Sequence, residues 1–345
     1  MIKSLLYGLS FFYRIGLLLV QLSYCWGWHK QVRLPRPVIS VGNITVGGVG
    51  KTPLVEFLTR LIKNKYAFRP CILLRGYMGE NFLGGTERKV ESDEGMMLKE
   101  NLPGICIGVG QDRAKIATEF LKNESMDVFI LDDGFQHWAL DRDLDVVVID
   151  ATNPFGNGQL LPRGILREPL SALRRADVFV LTKCDMDREH LPLLRSTLQR
   201  FNPRAPIIET IHEPVAFKDL IDGSSHPLDE LLGQSVAMVS SIGDPAGFEK
   251  TLQNLEIPIM RKFSFLDHHP YAKNDMQEII KGIRQQGITT IVTTQKDAVK
   301  LRTFEDILKK EISQQYFRIF VLQIEIKITR EEHELLDRIY SLLPR

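Results

Sequence analysis

The chain has 345 residues, of which 44% are hydrophobic and 25% charged; this composition is that of a globular protein and excludes a disordered one. Its 44 basic and 43 acidic residues leave a net charge of +1, so a nucleic-acid partner would need a local basic patch and none is expected. The four cysteines are widely spaced without a CxxC pair, which favours reduced thiols in the cytosol over a zinc site or disulfides.

The first predicted element is an apolar helix. Residues 4–28 contain a single charge, Arg14, but polar residues interrupt the run before it reaches the roughly 20 apolar residues of a membrane-spanning helix. Polar side chains recur at helical spacing and form a narrow stripe on this helix: Lys3, Tyr7, Ser10, Arg14 and Gln21. Aromatic residues and then cations follow, as is typical of a helix in a bilayer interface. Attachment to a membrane surface is favoured; the alternative is a helix packed on its own domain.

Short apolar runs then alternate with helical segments. The candidate strands of this part are 37–43, 70–76, 127–133, 144–150, 177–183 and 206–210. Near-continuous Val, Ile and Leu strands between helices predict a parallel sheet covered on both faces, a three-layer α/β/α core. A polar stretch punctuated by Pro and Gly, 212–231, precedes a second α/β set. We expect a membrane-interface helix (1–30), a core (31–213) and a smaller α/β subdomain with a C-terminal helix (214–345).

A glycine-rich turn lies between the first of these strands and a helix. It reads TVGGVGKT and consists of Thr45, Val46, Gly47, Gly48, Val49, Gly50, Lys51 and Thr52. The strict P-loop pattern has Gly where Thr45 stands, but the remainder fits. Glycines allow successive backbone N–H groups to face an anion, Lys51 can reach the β- and γ-phosphates of ATP, and the Thr52 hydroxyl can bind Mg²⁺. A tight turn alone would not explain Lys51 and Thr52, so the loop predicts nucleotide binding.

The strand 127–133 supplies a Walker-B-like partner because it ends in two carboxylates, Asp132 and Asp133. Adjacent strand residues point to opposite faces and can therefore serve different roles. We expect Asp132 to hold Mg²⁺ or its water and Asp133 to pair with a cation or an imidazole. The alternative is an acidic strand end that caps the turn at Gly134.

Two shorter patterns bear on switch-type NTPases. LTKCD (181–185) resembles the base-reading TKxD box of GTPases, but Leu131 stands where a DxxG motif on the acidic strand would begin, and a strand-end turn is favoured. GGVGKT resembles the loop of partition-type ATPases, whose signature Lys is replaced here by Val46. An ATPase switch of the partition or metallochaperone type is the alternative function; a non-catalytic membrane scaffold is disfavoured by Lys51 and the two carboxylates.

Several longer stretches, in this order, resemble one family. They are SVGNITVGGVGKTP (40–53), LLRGY (73–77), SDEG (92–95), LDDGFQHWALDRDLDVVVID (131–150), GNGQLLPRGILREPLSALRRAD (156–177), FLDHHPY (265–271) and TTQKDAVKL (293–301). Together they resemble the tetraacyldisaccharide 4'-kinases, the lipid A 4'-kinases of Gram-negative bacteria. The resemblance extends over essentially the whole chain. It departs at Gln295, where TEKDAVK would be expected.

The resemblance implies a P-loop fold of two α/β/α subdomains joined by a short strand linker. It implies transfer of the γ-phosphoryl group of ATP, with Mg²⁺, to the 4'-hydroxyl of a lipid A disaccharide 1-phosphate, forming lipid IVA at the cytoplasmic face of the inner membrane. A position at the membrane is also expected on physical grounds, because moving the lipid acceptor out of a bilayer costs about 0.8 kcal/mol for each CH₂ group. No obligate protein partner is expected.

The resemblance also implies roles for individual residues. Asp93 is the first candidate for the base that accepts the acceptor's proton, and His268, preferred over His269, is the second, in a pair with Asp133. Planar guanidinium groups suit phosphate oxygens of ATP or of the acceptor. The candidates for binding substrate or phosphate are Arg75, Tyr77, Arg113, Arg167 and Glu168, the last with an ion-pair role as the alternative.

Overall fold

The computed structural model describes residues 2–76, 92–315 and 317–343. It divides into two compact units: unit 1 comprises Met1–His212 and Ile326–Arg345, and unit 2 comprises Glu213–Glu325. Unit 1 therefore includes the N-terminal helix and the C-terminal helix. The sequence predicts a separate N-terminal part and a C-terminal helix in the second subdomain, whereas both helices group with unit 1.

The described elements alternate as expected for an α/β protein. The strands are β1 (Val38–Gly42), β2 (Pro70–Leu74), β3 (Cys106–Val109), β4 (Val128–Asp132), β5 (Leu144–Asp150), β6 (Val178–Thr182), β7 (Ile207–Asp219), β8 (Ser225–His226), β9 (Val236–Ser240), β10 (Ile259–Ser264), β11 (Thr290–Thr294) and β12 (Arg318–Arg330). The helices are α1 (Ile2–Cys25), α2 (Lys51–Tyr66), α3 (Asp93–Asn101), α4 (Arg113–Asn123), α5 (Leu191–Phe201), α6 (Pro245–Asn254), α7 (Lys273–Gln285), α8 (Gln295–Leu301), α9 (Glu305–Gln315) and α10 (Glu332–Leu342).

The sheet of unit 1 is parallel and has the order β7-β6-β5-β1-β4-β2-β3. Every residue of β1, β2, β4, β5 and β6 is buried, which is why these strands read as continuous apolar runs. The predicted parallel α/β sheet is confirmed. Because β1 neighbours β4, with Val41 opposite Asp132, the glycine-rich turn and the acidic pair emerge at the same edge of the sheet.

The two faces of this sheet are covered by different apolar clusters. Successive residues of β4 alternate between them: Val128 and Ile130 belong to one cluster, Phe129 and Leu131 to the other. The first cluster also receives α2 and α10, including the buried side chains Leu54, Leu58, Leu335 and Ile339. Packing of α10 beside α2 is the physical reason why the C-terminal helix belongs to unit 1.

Unit 2 has its own parallel sheet in the order β10-β9-β11-β12, with β8 pairing antiparallel to the end of β7. Its helix α7 buries Met276, Ile279, Ile280 and Ile283, the spacing of one helical face. The polypeptide passes from one unit to the other twice, once within β7 and once within β12. These strands are the short strand linker implied by the family resemblance.

Candidate active site

The glycine-rich turn is shaped by backbone conformations that favour glycine. Gly47 has a φ of 109° and Gly50 a φ of 87°. A Cβ on Gly50 would also lie 2.7 Å from Nε2 of His212, so a larger residue does not fit without movement. Gly50 precedes α2, whose first turn has no side-chain cap and no acidic residue. The N–H groups of this turn are therefore available to an anion at the positive end of the helix.

Buried polar groups hold the loop from both sides. Nδ2 of Asn43 donates to the carbonyl oxygen of Thr45 at 2.7 Å and to its hydroxyl at 3.1 Å. The Thr182 hydroxyl donates to the carbonyl oxygen of Val49 at 2.8 Å. Thr45 also forms an isolated bridge with Leu166. The departure from glycine at position 45 thus gives the loop a side-chain anchor.

Lys51 lies between two acceptors. Its Nζ is 3.2 Å from Oδ1 of Asn43 and 3.4 Å from Oδ1 of Asp133. Asp133 has a φ of 51°, and its two carboxylate oxygens each accept from Nη1 of Arg167 at 2.8 Å. Burial alone would raise the pKa of Asp133, but Lys51 and Arg167 outweigh it and hold that pKa below its usual range. Asp133 is therefore a permanent anion that orients two cations.

Asp132 has a different environment. Its Oδ2 is 3.4 Å from the Thr52 hydroxyl, and its Oδ1 is buried with no hydrogen-bond partner among the described residues. Burial, followed by the charge of Glu94, raises the pKa of Asp132 to about 7 although Lys51 opposes this. A buried carboxylate oxygen without a partner beside a threonine hydroxyl is the donor set that suits Mg²⁺. The residues present thus fit the expected metal ion.

Arg113 is placed differently from the expectation that it binds phosphate. It is 2% exposed, and Nη1 donates to the carbonyl oxygens of Asp132 at 2.9 Å and Asp133 at 3.4 Å. Burial lowers its pKa to about 10, so the side chain stays charged at neutral pH. Arg113 therefore fixes the backbone of the acidic pair instead of presenting its fork at the surface.

Glu168 forms an ion pair with Arg175, which is one of its two expected roles; its role towards substrate stays a prediction. It is 1% exposed, and both of its oxygens are occupied. Arg175 donates to them at 2.8 and 3.0 Å, Gln136 at 2.8 Å and Gln21 at 3.1 Å. The guanidinium of Arg175 also lies 4.3 Å from the ring centroid of Trp138. Both oxygens of Glu168 thus accept hydrogen bonds from the protein, and Glu168 connects Gln21 of α1 to Gln136 and Arg175.

The other candidates of unit 1 lie around this centre. Asp93 is the first residue of α3, and the preceding Ser92 caps the helix by accepting from the N–H of Gly95 at 3.1 Å. The neighbouring Glu94 acts electrostatically on Asp132. Arg75 is exposed just after β2, and its charge lowers the pKa of the buried Arg113. Tyr77 lies outside the described residues.

His268 belongs to unit 2, in the segment after β10. Its φ is 59°, and its Nε2 is 3.2 Å from Nζ of Lys296, which also donates to Asp267 at 3.1 Å. The pairing of His268 with Asp133 joins residues of different units and stays a prediction. Gln295, the departure from the family pattern, accepts from the N–H of Ile324 at 3.1 Å. It therefore ties α8 to β12 inside unit 2.

The pattern LTKCD is the strand-end turn favoured from the sequence. Lys183 has a φ of 57° and is buried, and its Nζ pairs with Asp150 at 2.5 Å. The Lys183 side chain is thus occupied by an ion pair within unit 1. The sequence analysis missed Asn43, Gln136 and Arg175, which support the loop and Glu168. Their positions inside the longer motifs, SVGN, DDGFQH and LRRAD, were the available signal.

The described residues include one helical stretch, Leu5–Cys25, long and apolar enough to cross a membrane by length and composition, and 6% of it is buried. Its exposed side chains include Phe12 at 70% and Leu19 at 61%. The apolar helix expected from the sequence is present, but its length and composition meet the requirement for a membrane-spanning helix, which the interrupted apolar run argues against.

Comparison with known proteins gives one family. A family model described as tetraacyldisaccharide-1-P 4'-kinase (LpxK) matches residues 2–343. A tetraacyldisaccharide 4'-kinase of Halothermothrix orenii is 38% identical over 92% of this chain and 86% of its own length, and one of Syntrophus aciditrophicus is 38% identical over 86% and 84%. The crystal structure of LpxK from Aquifex aeolicus in complex with ATP matches with a TM-score of 0.77 and 32% identity over 100% of both chains. The sheet, the phosphate loop and these matches agree: the chain belongs to the tetraacyldisaccharide 4'-kinase family.

Proposed function

We propose that this protein transfers the γ-phosphoryl group of ATP to the 4'-hydroxyl of a tetraacyldisaccharide 1-phosphate, forming lipid IVA. The observation that supports this most directly is the anion site at the start of α2, with Lys51 and Asp132 beside it, in a chain that resembles this kinase family throughout its length. Phosphoryl transfer requires positioning and charge neutralisation more than covalent chemistry, and this site offers both.

The phosphate loop is proposed to bind the β- and γ-phosphates of ATP. The N–H groups of the first turn of α2 bind phosphate oxygens, and Lys51, positioned by its contacts with Asn43 and Asp133, binds the bridging region between the phosphates. Thr52 and Asp132 would hold Mg²⁺, which when bound neutralises charge on the transferred group. Arg167, aimed by Asp133, is proposed to contact phosphate oxygens.

Asp93 is proposed as the base that accepts the proton of the 4'-hydroxyl. It starts a helix whose next residue, Glu94, lies within electrostatic reach of Asp132, which supports a position at the phosphate end of the site. The pair of Asp133 and His268 is the second candidate for this role. Asp93→Asn should lower kcat by roughly 10²–10⁴-fold with little change in ATP affinity if Asp93 is the base.

We place the enzyme at the cytoplasmic face of the inner membrane. The apolar faces of α1 are exposed, and Trp26 and Trp28 at its end are 61% and 75% exposed. Amphipathic rings of this kind sit at the headgroup level of a bilayer. A surface position gives the enzyme access to an acceptor whose acyl chains remain in the membrane.

The test is a phosphoryl-transfer assay with ATP and a tetraacylated disaccharide 1-phosphate in mixed micelles. We expect ATP consumption that depends on the acceptor, with a phosphorylated glycolipid as product. ATP turnover of equal rate with and without the acceptor would contradict the proposal and favour the switch ATPase. Lys51→Ala serves as the control for contaminating activity.

A further inference from the structure

Helix α1 bonds to unit 1 through the polar side chains Ser10, Tyr13 and Gln21, while most of its apolar side chains are exposed, the reverse of a helix on a soluble protein. Ser10 is 8% exposed; its hydroxyl donates to the carbonyl oxygen of Leu160 at 3.0 Å and accepts from the N–H of Arg163 at 3.2 Å. Leu5 and Phe12, on the other side, are 64% and 70% exposed. These directional polar bonds help to define the position of the helix along and around its axis.

One set of contacts leads from α1 to Lys51 through Arg167; we name it the Tyr13 path. The Tyr13 hydroxyl donates to the carbonyl oxygen of Arg167 at 3.0 Å. The guanidinium of Arg167 donates to both oxygens of Asp133 at 2.8 Å. Oδ1 of Asp133 lies 3.4 Å from Nζ of Lys51. A shift of α1 at Tyr13 would thus move the backbone that aims this ion pair.

A second set, the Gln21 path, reaches the same amine from the other side. Nε2 of Gln21 donates to Glu168 at 3.1 Å, and Nε2 of Gln136 donates to the other oxygen of Glu168 at 2.8 Å. Gln136 also donates to the carbonyl oxygen of Asn43 at 2.9 Å. Oδ1 of Asn43 accepts from Lys51 at 3.2 Å. Glu168 and Asn43 are 1% and 0% exposed, so water competes little for these bonds.

We propose that Tyr13 and Gln21 are positioning residues for Lys51, so that the membrane-facing helix α1 is a working part of the phosphate site. The inference rests on the proposed function, in which Lys51 binds the phosphates of ATP. The two paths start two helical turns apart on one face of α1 and meet at the two acceptors of a single amine. Helix α1 therefore sets where the lysine charge lies when ATP enters.

The first experiment compares Tyr13→Phe and Gln21→Met with wild type in the mixed-micelle assay. Each change removes one hydrogen-bond donor and keeps side-chain size and the apolar outer faces. We expect kcat to fall about fivefold in each variant, the scale of one lost hydrogen bond. The KM for the micellar acceptor and recovery with vesicles of phosphatidylethanolamine and phosphatidylglycerol should not change.

Tyr7→Phe is the matched control. Tyr7 is a second tyrosine of α1, and its described contact is with the guanidinium of Arg163, which lies 5.0 Å from the ring centroid and outside both paths. Its kcat should equal that of wild type. Equal kcat values for Tyr13→Phe, Gln21→Met and Tyr7→Phe would overturn the proposal, as would a fall in kcat that only matches a fall in the folded fraction measured by thermal unfolding.

A second experiment measures equilibrium ATP binding by calorimetry and needs no acceptor. Tyr13→Phe should weaken ATP binding about fivefold in the wild-type background and not at all in a Lys51→Met background, because the path ends at the lysine amine. An equal loss in both backgrounds would overturn the proposal. If the wild-type protein bound ATP but phosphorylated no acceptor, the proposed function would fail while this measurement still decided the role of Tyr13.

Discussion

At the scale of single residues, the charge of Lys51 is already compensated before any nucleotide binds. Its amine lies between an amide oxygen of Asn43 and the carboxylate of Asp133. Asp133 also pairs with a second cation, Arg167, so its buried charge does not depend on Lys51 alone. Asn43 and Asp133 therefore hold the lysine charge in place for an incoming phosphate.

Lys51→Ala should lower kcat by about 10²–10³-fold, because the lysine charge acts most strongly as the phosphoryl bond breaks. The fold should survive, since Arg167 still pairs with Asp133. The measurement is single-turnover phosphoryl transfer at saturating ATP, with circular dichroism as the control for folding. Near-native turnover would show that the phosphate loop is assigned incorrectly.

His137 should make stability dependent on pH. Burial, and then the charge of Arg113, lowers its pKa to about 4, and its Nε2 is buried without a hydrogen-bond partner among the described residues. The imidazole of His137 takes up a proton at a higher pH in the unfolded chain than in the folded protein. Keeping the ring neutral therefore costs no stability above about pH 6.5, and the folded protein loses stability as the pH falls from there towards 4.

Between pH 7 and pH 4.5 the free energy of unfolding should therefore fall by about 2–3 kcal/mol more in wild type than in His137→Gln. Urea denaturation at the two pH values measures the difference. His333→Gln is the matched control, because the His333 side chain is 71% exposed. Parallel losses in wild type and His137→Gln would show that the ring is not held neutral.

At the scale of elements, the turn between β1 and α2 combines two constraints on Gly50: its left-handed backbone and the ring of His212. Gly50→Ala should weaken ATP binding at least tenfold, because either the loop or the histidine must move. Gly287→Ala is a control that isolates the backbone effect, since Gly287 has a φ of 64° with nothing within 4 Å of a new Cβ.

Gly287→Ala should cost about 1 kcal/mol of stability and leave ATP affinity unchanged. Calorimetric titration with ATP and thermal unfolding of both variants separate strain from steric exclusion. An ATP affinity of Gly50→Ala equal to that of wild type would indicate that the loop accommodates a side chain at this position.

The sequence predicts the elements that are buried on both sides and misses some at the edges of sheets. β4 and β5 were evident because every side chain is buried, which requires a continuous apolar run. β3 has four residues, including Gly108, at the edge of the unit 1 sheet, and β10, at the edge of the unit 2 sheet, buries only Phe263. Neither produces the continuous apolar run of a central strand.

The candidate site was predictable in its motif residues and not in their partners. Lys51, Thr52 and Asp132 have spacings fixed by chemistry, and the structure places them together. The occupation of Glu168 by Arg175, Gln136 and Gln21 depends on contacts between distant segments, so the sequence left two roles open. The burial of Arg113 could not be predicted either, because the sequence around an arginine does not show whether its guanidinium faces a phosphate or a backbone carbonyl.

At the scale of the whole molecule, removing residues 1–28 should affect two properties at once. The truncated protein should no longer bind vesicles, because the exposed apolar faces of α1 are lost. For the same reason its KM for the micellar acceptor should rise more than its KM for ATP. Its kcat should also fall, because Glu168 and Arg167 lose the bonds from Gln21 and Tyr13.

Sedimentation with vesicles and steady-state kinetics on mixed micelles measure the two properties separately. A truncated enzyme that still sediments with vesicles would show that another surface attaches it to the membrane. A truncated chain that no longer folds, judged by thermal unfolding, would show that α1 is required by the core of unit 1.

The division of the chain also has a consequence for synthesis on the ribosome. Unit 1 is discontinuous: Met1–His212 is completed by Ile326–Arg345, and α10 places Leu335 and Ile339, both 0% exposed, into its core cluster. Unit 2 is a single continuous stretch, Glu213–Glu325. The segment that emerges second can therefore finish folding first, while the first segment waits with an open apolar surface beside α2 until the last helix leaves the ribosome. Nascent chains stalled before residue 332 should accordingly be the form of this protein that most needs a chaperone.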